Sequence, residues 1–301
     1  MATRLSKVRS DLPAFKVALD TFNSKHTFKL VHMVNPPDTP TASDASTSDV
    51  KTLFILDSSY NPPSRAHLAL ACAVSCGFGS LPHRLLLLFS THNADKSPKP
   101  ASFEQRLAMM ILFAEDLQDF WKAEPLRAVP IDIGLTSKPY YTDKSMAIVG
   151  ADPQVYPSQP SHVHLLGYDT LTRCLDPKYY QKFDPPLHAL KPYFDAGHSF
   201  ICLLRPNSSS DNAVSADTEA EQRAYITRLS SGSELEKYGF QREWGSQIGF
   251  LDGDDVPSAV GISSTAIRTA AKEQDWDAVS HMCTPRVAAW IREEGLYVGT
   301  A

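Results

Sequence analysis

From residue 53 to residue 204 the chain alternates short apolar runs with amphipathic stretches, and this alternation leaves few folds open. Residues 53–56, 84–89, 128–133, 163–166 and 199–204 read as strands; 64–76, 102–119, 141–149 and 169–175 carry helical spacing. The solid apolar run in 84–89 predicts a strand buried on both faces. Strands joined through helices pair in parallel, with right-handed crossovers. The predicted class is therefore α/β, with a doubly wound, mostly parallel sheet flanked by helices. In such a sheet ligands sit beyond the carboxyl ends of the strands. Ser58 to His67, Ser90 to Lys96, Gly167 with Asp169, and Arg205 all fall just after predicted strands.

The flanks are simpler. Residues 10–23 predict a short helix, with Asp11 and Pro13 as cap and first-turn residues. Residues 28–34 predict an extra strand, and the Pro/Thr/Ser/Asp-rich stretch 35–50 a flexible loop. Residues 1–50 thus read as an addition to a main domain spanning 51–301. Ser102 and Gln105 form a capping-box pattern ahead of the helix at 102–119. Residues 206–220 lack periodicity and predict a disordered insertion. A helix at 221–238, a last strand at 247–251 and closing helices at 263–272 and 285–294 complete the pattern.

Composition removes several classes. A net charge of −5 disfavours a nucleic-acid polymer as partner. No apolar run approaches the roughly 18 residues of a membrane span, and the N-terminus lacks a signal-peptide core. Cys72, Cys76, Cys174, Cys202 and Cys283 have no zinc-type spacing and predict reduced core residues in a cytoplasmic or nuclear protein. There is no Gly-x-x-x-x-Gly-Lys phosphate loop, no Gly-x-Gly-x-x-Gly fingerprint and no Gly-x-Ser-x-Gly elbow.

Two segments 200 residues apart carry the chemistry. Asp57-Ser58-Ser59-Tyr60-Asn61-Pro62-Pro63-Ser64-Arg65-Ala66-His67 follows the first predicted strand of the main domain. Gly261-Ile262-Ser263-Ser264-Thr265-Ala266-Ile267-Arg268 opens a predicted helix. Each brings hydroxyls and a nitrogen donor to a helix start, whose unpaired N–H groups and positive dipole end attract anions. Ser264 and Arg268 share a helix face. Lys96 lies in the loop after the second strand, where it can meet a triphosphate as a point charge. Gly167 permits close backbone approach and Asp169 can accept from ribose hydroxyls, although Asp169 also suits a helix cap. Tyr141, Thr142 and Tyr179 offer rings and a hydroxyl to a heteroaromatic base, with packing as the plainer alternative. Together the two segments point to an enzyme that handles nucleoside phosphates.

These segments resemble the two signature motifs of the nucleotidylyltransferase superfamily. The first is similar to its His-x-x-His region, and Ile262 to Arg268 match Ile-Ser-Ser-Thr-x-x-Arg without a gap. Within it the chain resembles the nicotinamide mononucleotide adenylyltransferases, in a divergent fungal version. Tyr60-Asn61-Pro62 with Ser64 and His67, Pro139 to Asp143 set against Pro-Ser-Tyr-Thr-x-Asp, Gly167-x-Asp169, and the tail from Pro285 to Tyr297 carry the likeness over 52–298. The resemblance implies a Rossmann-like fold with C-terminal helices closing the nucleotide site. It implies in-line attack of a mononucleotide 5′-phosphate on the α-phosphorus of ATP, with Mg²⁺ carried on the ATP phosphates and no dedicated metal ligands in the protein. His67, Ser64, Arg268 and Lys96 would be catalytic. Ser59, Tyr60, Asn61, Gly167, Asp169, Ile262, Ser263 and Ser264 would hold ATP; Ser58, Tyr141, Thr142, Tyr179 and Arg205 would hold the mononucleotide. Two departures stand out: Ser58 replaces the family's glycine, and Ser64 its first histidine. Two other readings stay open: a superfamily member using a cytidylyl donor or another acceptor, and, motivated by Ser58 and the polar insertion, a nucleotide-binding protein without turnover. A homo-oligomer stays open as well.

Overall fold

The computed structural model describes residues 2–36, 47–75, 79–91, 101–123, 128–204, 218–251, 259 and 262–299. Lys96, Arg205, Gly261, Cys76 and most of the predicted loop and insertion lie outside these residues. Among the described residues seven strands form one sheet in the order β1-β4-β3-β2-β5-β6-β7. They are β1 Phe28–Val34, β2 Thr52–Ser58, β3 His83–Ser90, β4 Ile131–Thr136, β5 Ser161–Gly167, β6 Ser199–Leu203 and β7 Ile248–Leu251. Only β1 runs antiparallel, on β4; all other pairs are parallel. From β2 the chain winds outward through β3 and β4, then returns to the other side of β2 at β5. The carboxyl ends of β2 and β5 therefore flank the topological switch point, where an open α/β sheet leaves a crevice.

The strand interiors explain why both faces are covered. Along β2, Phe54 and Leu56 enter one core while Leu53 and Ile55 enter the opposite one. Successive strand residues point to opposite faces, so an unbroken apolar run needs packing on each side. The larger core takes α1 (Ala2–Lys25), α2 (Arg65–Ala71) and α3 (Phe103–Ala123), together with α9 (Ser264–Lys272), α10 (Trp276–Met282) and α11 (Pro285–Glu293). The opposite face takes α4 (Tyr141–Val149) and Tyr156. A further core gathers α5 (Tyr168–Cys174), α6 (Lys191–Asp195), α7 (Glu219–Ser231) and α8 (Arg242–Gly245) around β6.

Several boundaries differ from expectation for identifiable reasons. The N-terminal helix starts at Ala2, so Pro13 lies inside it and caps nothing. Leu5 and Val8 extend its apolar stripe into the large core beside Leu19 and Phe22. The fourth strand begins at Ile131, three residues later than predicted. Pro130, which has no N–H to give a ladder, precedes it. Inside that strand a Cβ on Gly134 would stand 2.8 Å from the Phe28 ring, so the glycine lets β1 pack down. Residues 219–220, expected in the insertion, open α7 because Thr218 and Glu221 form a capping box. Ser102 Oγ accepts from the Gln105 N–H at 3.4 Å, while Gln105 Oε1 takes the Trp290 indole N–H at 2.8 Å. Among the described residues no helix is long and apolar enough to cross a membrane.

A histidine group underlies β5 and β6. The His162 and His198 rings stack at 4.3 Å, and the His162 backbone N–H donates to His198 Nδ1 at 3.1 Å. Tyr193 gives its hydroxyl proton to the Ser199 carbonyl, so His164 Nδ1–H donates to the Tyr193 oxygen at 2.9 Å. Burial holds His162 and His164 well below the ordinary histidine value and His198 down to about 4. Unfolded, these rings titrate near 6.5, roughly the free value. The unfolded chain therefore binds more protons below that pH. The stability from burying neutral rings is whole above about pH 6.5 and falls as pH drops toward about 4, by up to about 1.4 kcal/mol per pH unit for each ring. Urea midpoints at about pH 7.5 and about pH 5 should show the drop, and His198→Asn should flatten it. Equal slopes for the two proteins would contradict this account.

Candidate active site

The first segment is built on the end of β2 and the start of α2. Asp57 and Ser58 are the last residues of the strand, and Ser64 is the N-cap of the helix. Between them Tyr60 takes φ +44°, a left-handed conformation costly for an aromatic residue. Its buried ring holds it there, with the hydroxyl donating to the Leu56 carbonyl. His67 closes the turn: the Ser64 N–H donates to His67 Nδ1 at 3.0 Å. Nδ1 is thus the acceptor of a neutral ring, and the proton sits on Nε2. Nε2–H then donates to Ser58 Oγ, 2.9 Å away. The Ser58 hydroxyl thus occupies the donor of His67.

The second segment opens α9, with Ser263 as N-cap accepting from the Ala266 N–H at 3.1 Å. The two segments are bonded directly. Ser264 Oγ donates to the Pro62 carbonyl at 2.8 Å, and Arg268 Nη1 to the Asn61 carbonyl at 2.9 Å. The tail joins them, since Tyr297 donates to Asn61 Oδ1 at 3.0 Å. Both helix starts face one cleft of about 240 Å³ that also receives the end of β5. It is lined by Asp57, Ser58, Ser64, His67, Tyr141, Gly167, Asp169, Ile262, Ser263 and Ser264, with Thr170, Arg173 and apolar neighbours.

Other predicted site residues stand back from this lining. Ser59 is half-buried in the first loop. Tyr60 and Asn61 support that loop through the bonds above. Arg268 spans from Asn61 to Thr265 Oγ1, at 3.0 Å from the latter. Thr142 Oγ1 donates to the Ala189 carbonyl at 3.4 Å. Tyr179 packs on the core around β6, with the Lys178 ammonium 5.0 Å from its ring centre. Tyr141 lines the cleft and packs edge-on against His164 and Phe200. Burial raises its hydroxyl well above the ordinary tyrosine value; Asp57 adds to this and Arg173 opposes it.

Two residues escaped the sequence reading. Lys144 forms a buried ion pair with Asp57, bridging α4 to the end of β2 beside the cleft. Counted without a gap, the element Pro-Ser-Tyr-Thr-x-Asp puts its aspartate at residue 144, not at Asp143. A lysine there, facing an aspartate at 57, was the available signal. Arg173 was signalled by its spacing of four from Asp169, which puts both on one helix face. Among the described residues no group of three or more His, Cys, Asp or Glu side chains could hold a metal ion.

No family model matches the chain. Two solved structures are similar over 82% of it and 97% of their own length. Both are Plasmodium falciparum nicotinic acid mononucleotide adenylyltransferase, complexed with NaAD (15% identity, TM-score 0.47) and with APC (14% identity, TM-score 0.47). A Schizosaccharomyces pombe protein, provisionally named nicotinamide mononucleotide adenylyltransferase, is 31% identical over 225 residues. That match spans 73% of this chain and 76% of the yeast protein, and on it the chain belongs to the nicotinamide mononucleotide adenylyltransferase family.

Proposed function

We propose that this chain transfers the adenylyl group of ATP to nicotinamide mononucleotide, giving NAD⁺ and pyrophosphate, with nicotinate mononucleotide as a competing acceptor. The carrying observation is the direct bonding of the α9 start to the loop after β2 around one cleft at the switch point. Such a cleft offers two sets of donors to a single polyphosphate. In the reaction the acceptor's 5′-phosphate oxygen forms a bond to the α-phosphorus, and the bond from that phosphorus to pyrophosphate breaks. No covalent intermediate with the protein is needed. Positioning and charge stabilisation then supply the rate.

The roles we assign rest on the family resemblance, and the geometry is compatible with them. His67 Nε2–H leaves Ser58 Oγ and donates to the α-phosphate as charge builds. The freed Ser58 hydroxyl turns to a mononucleotide phosphate oxygen. Ser64 holds His67 through its backbone N–H and offers its hydroxyl to a neighbouring phosphoryl oxygen. The α9 start, with Ile262, Ser263, Ser264 and Arg268, faces the β- and γ-phosphates. Arg268 keeps its bond to Asn61, and through it ties the phosphates to a loop supported by Ser59 and Tyr60. Gly167 and Asp169 hold ribose. Tyr141 borders the pyridine base, with Thr142 and Tyr179 behind. The roles of Lys96 in steadying phosphate and of Arg205 at the mononucleotide rest on sequence alone.

Mg²⁺ would enter on the triphosphate, held by substrate oxygens and water. Asp57, whose Oδ2 pairs with Lys144 while its buried Oδ1 has no hydrogen-bond partner among the described residues, and the exposed Asp169 are the cleft carboxylates that could meet a metal-bound water. Bound there, the ion would neutralise charge on the phosphates. The test is a coupled assay with ATP or CTP against both mononucleotides. The expected result is dinucleotide and pyrophosphate in equal amounts from ATP. Calorimetric binding of ATP without turnover would favour a nucleotide-binding protein instead, and turnover with CTP a different transferase.

A further inference from the structure

We infer that Arg173 is a substrate-binding residue which takes an anionic oxygen of the mononucleotide. Among the described residues lining the cleft it is the one Arg or Lys side chain. It sits on α5, one turn after Asp169. Its fork is fixed at two points: Nε donates to the Asp169 carbonyl at 3.1 Å, and Nη2 to Thr170 Oγ1 at 3.4 Å. Both acceptors are neutral, and no ion pair to a carboxylate takes up the charge among the described residues. A guanidinium held this way is oriented, exposed and electrostatically unspent, with Nη1 left to donate. The other charged lining groups are carboxylates, Asp57 and Asp169, of which Asp57 is neutralised by Lys144. A cleft that receives phosphates needs a cation at this wall, and the planar fork of arginine suits phosphate or carboxylate oxygens.

Arg173 bonds to Asp169, assigned to the ATP ribose, and lies within electrostatic reach of Tyr141, assigned to the pyridine base; the triphosphate is met by the α9 start, which leaves the mononucleotide's anionic oxygens to Arg173. Arg173 stands on the β5 side, and its charge reaches the hydroxyl of Tyr141, at the start of α4. The α9 start, with Ser263 and Ser264, is contributed by a different element at the β2 side, where it bonds the loop after that strand. Two groups on a pyridine mononucleotide share the chemistry required: the 5′-phosphate, and in the nicotinate form the ring carboxylate.

This inference rests on the proposed function, and its test separates the two. Binding of nicotinamide mononucleotide, nicotinate mononucleotide and ATP is measured by calorimetry on the parent, Arg173→Gln and Arg173→Lys, alongside dinucleotide production by the parent. Arg173 is exposed, so the variants should keep the parent's thermal midpoint. Losing one charge-assisted contact should weaken mononucleotide binding about 10- to 100-fold, with partial recovery in Arg173→Lys. Equal weakening for both mononucleotides assigns the 5′-phosphate; weakening of the nicotinate form alone assigns the carboxylate. Unchanged mononucleotide binding, or a loss confined to ATP, overturns the inference while parental turnover leaves the function standing. Arg173-dependent mononucleotide binding in a parent that makes no dinucleotide does the reverse.

Discussion

His67→Asn is expected to lower turnover by about 10²-fold or more, the usual scale for one lost transition-state donor, while barely changing stability. The asymmetry comes from the two ring nitrogens. Nδ1 accepts the N–H of Ser64, a residue only 1% exposed, and Nε2 carries the proton that faces Ser58 and the cleft. The amide oxygen of asparagine stands near the place of Nδ1, so the turn keeps its acceptor and loses only the donor. His67→Gln places its amide near Nε2 and should retain part of the rate at a small cost in stability. His67→Ala removes both functions. A buried N–H left unpaired costs about 1–3 kcal/mol, so this variant should lose rate and thermal midpoint together. Steady-state rates and urea midpoints on the three proteins check the scheme. An asparagine variant with parental turnover would remove His67 from the chemistry.

The alternation of apolar runs was enough to read a parallel α/β sheet, because each run's length and each helix's spacing are local properties. Placement of the site after strands followed from the same pattern. The strand order was not local: nothing in 161–167 announces that β5 returns to the far side of β2. The meeting of the two motifs depends on that return. Pair contacts such as Lys144 with Asp57 were hidden because their partners lie 87 positions apart on different elements. A lysine among apolar helix residues reads as solvated until a buried carboxylate faces it. The N-terminal helix was cut short because Pro13 resembles a start signal; Leu5 and Val8 show their use only when α3 and the sheet cover them. For Thr142 and Tyr179 the sequence leaves binding and packing both open; in the fold Thr142 meets the Ala189 carbonyl and Tyr179 packs on the core around β6. Side-chain direction within a turn is set by neighbours that no spacing rule names.

Asp132→Ala is expected to destabilise the fold by about 3–5 kcal/mol, the scale for breaking a buried ion pair from one side. Asp132 is fully buried on β4, and Arg84 on β3 is 2% exposed. Oδ2 accepts from Arg84 Nε at 2.8 Å and from the Tyr156 hydroxyl at 2.7 Å, and Oδ1 accepts from Nη2 at 2.5 Å. This bidentate pair satisfies both charges only while both partners are present. Without the carboxylate the buried guanidinium loses its bidentate partner, for which the Met33 sulfur at 3.8 Å is a weak substitute. Against a typical total of about 5–15 kcal/mol, the loss is a large fraction. Removing both charges should behave differently. Arg84→Met with Asp132→Leu and Tyr156→Phe replaces the network by apolar volume and should lie within about 1–2 kcal/mol of the parent, because desolvation of the pair is no longer required. Both residues lie near the amino ends of their strands, opposite the cleft. Turnover per folded molecule should therefore survive in both proteins. Urea unfolding paired with rates on the folded fraction separates the outcomes: a single variant as stable as the parent would mean that the carboxylate does not hold the arginine, and a triple variant as unstable as the single would mean that the network itself, and not the loss of the arginine's bidentate partner, carries the energy.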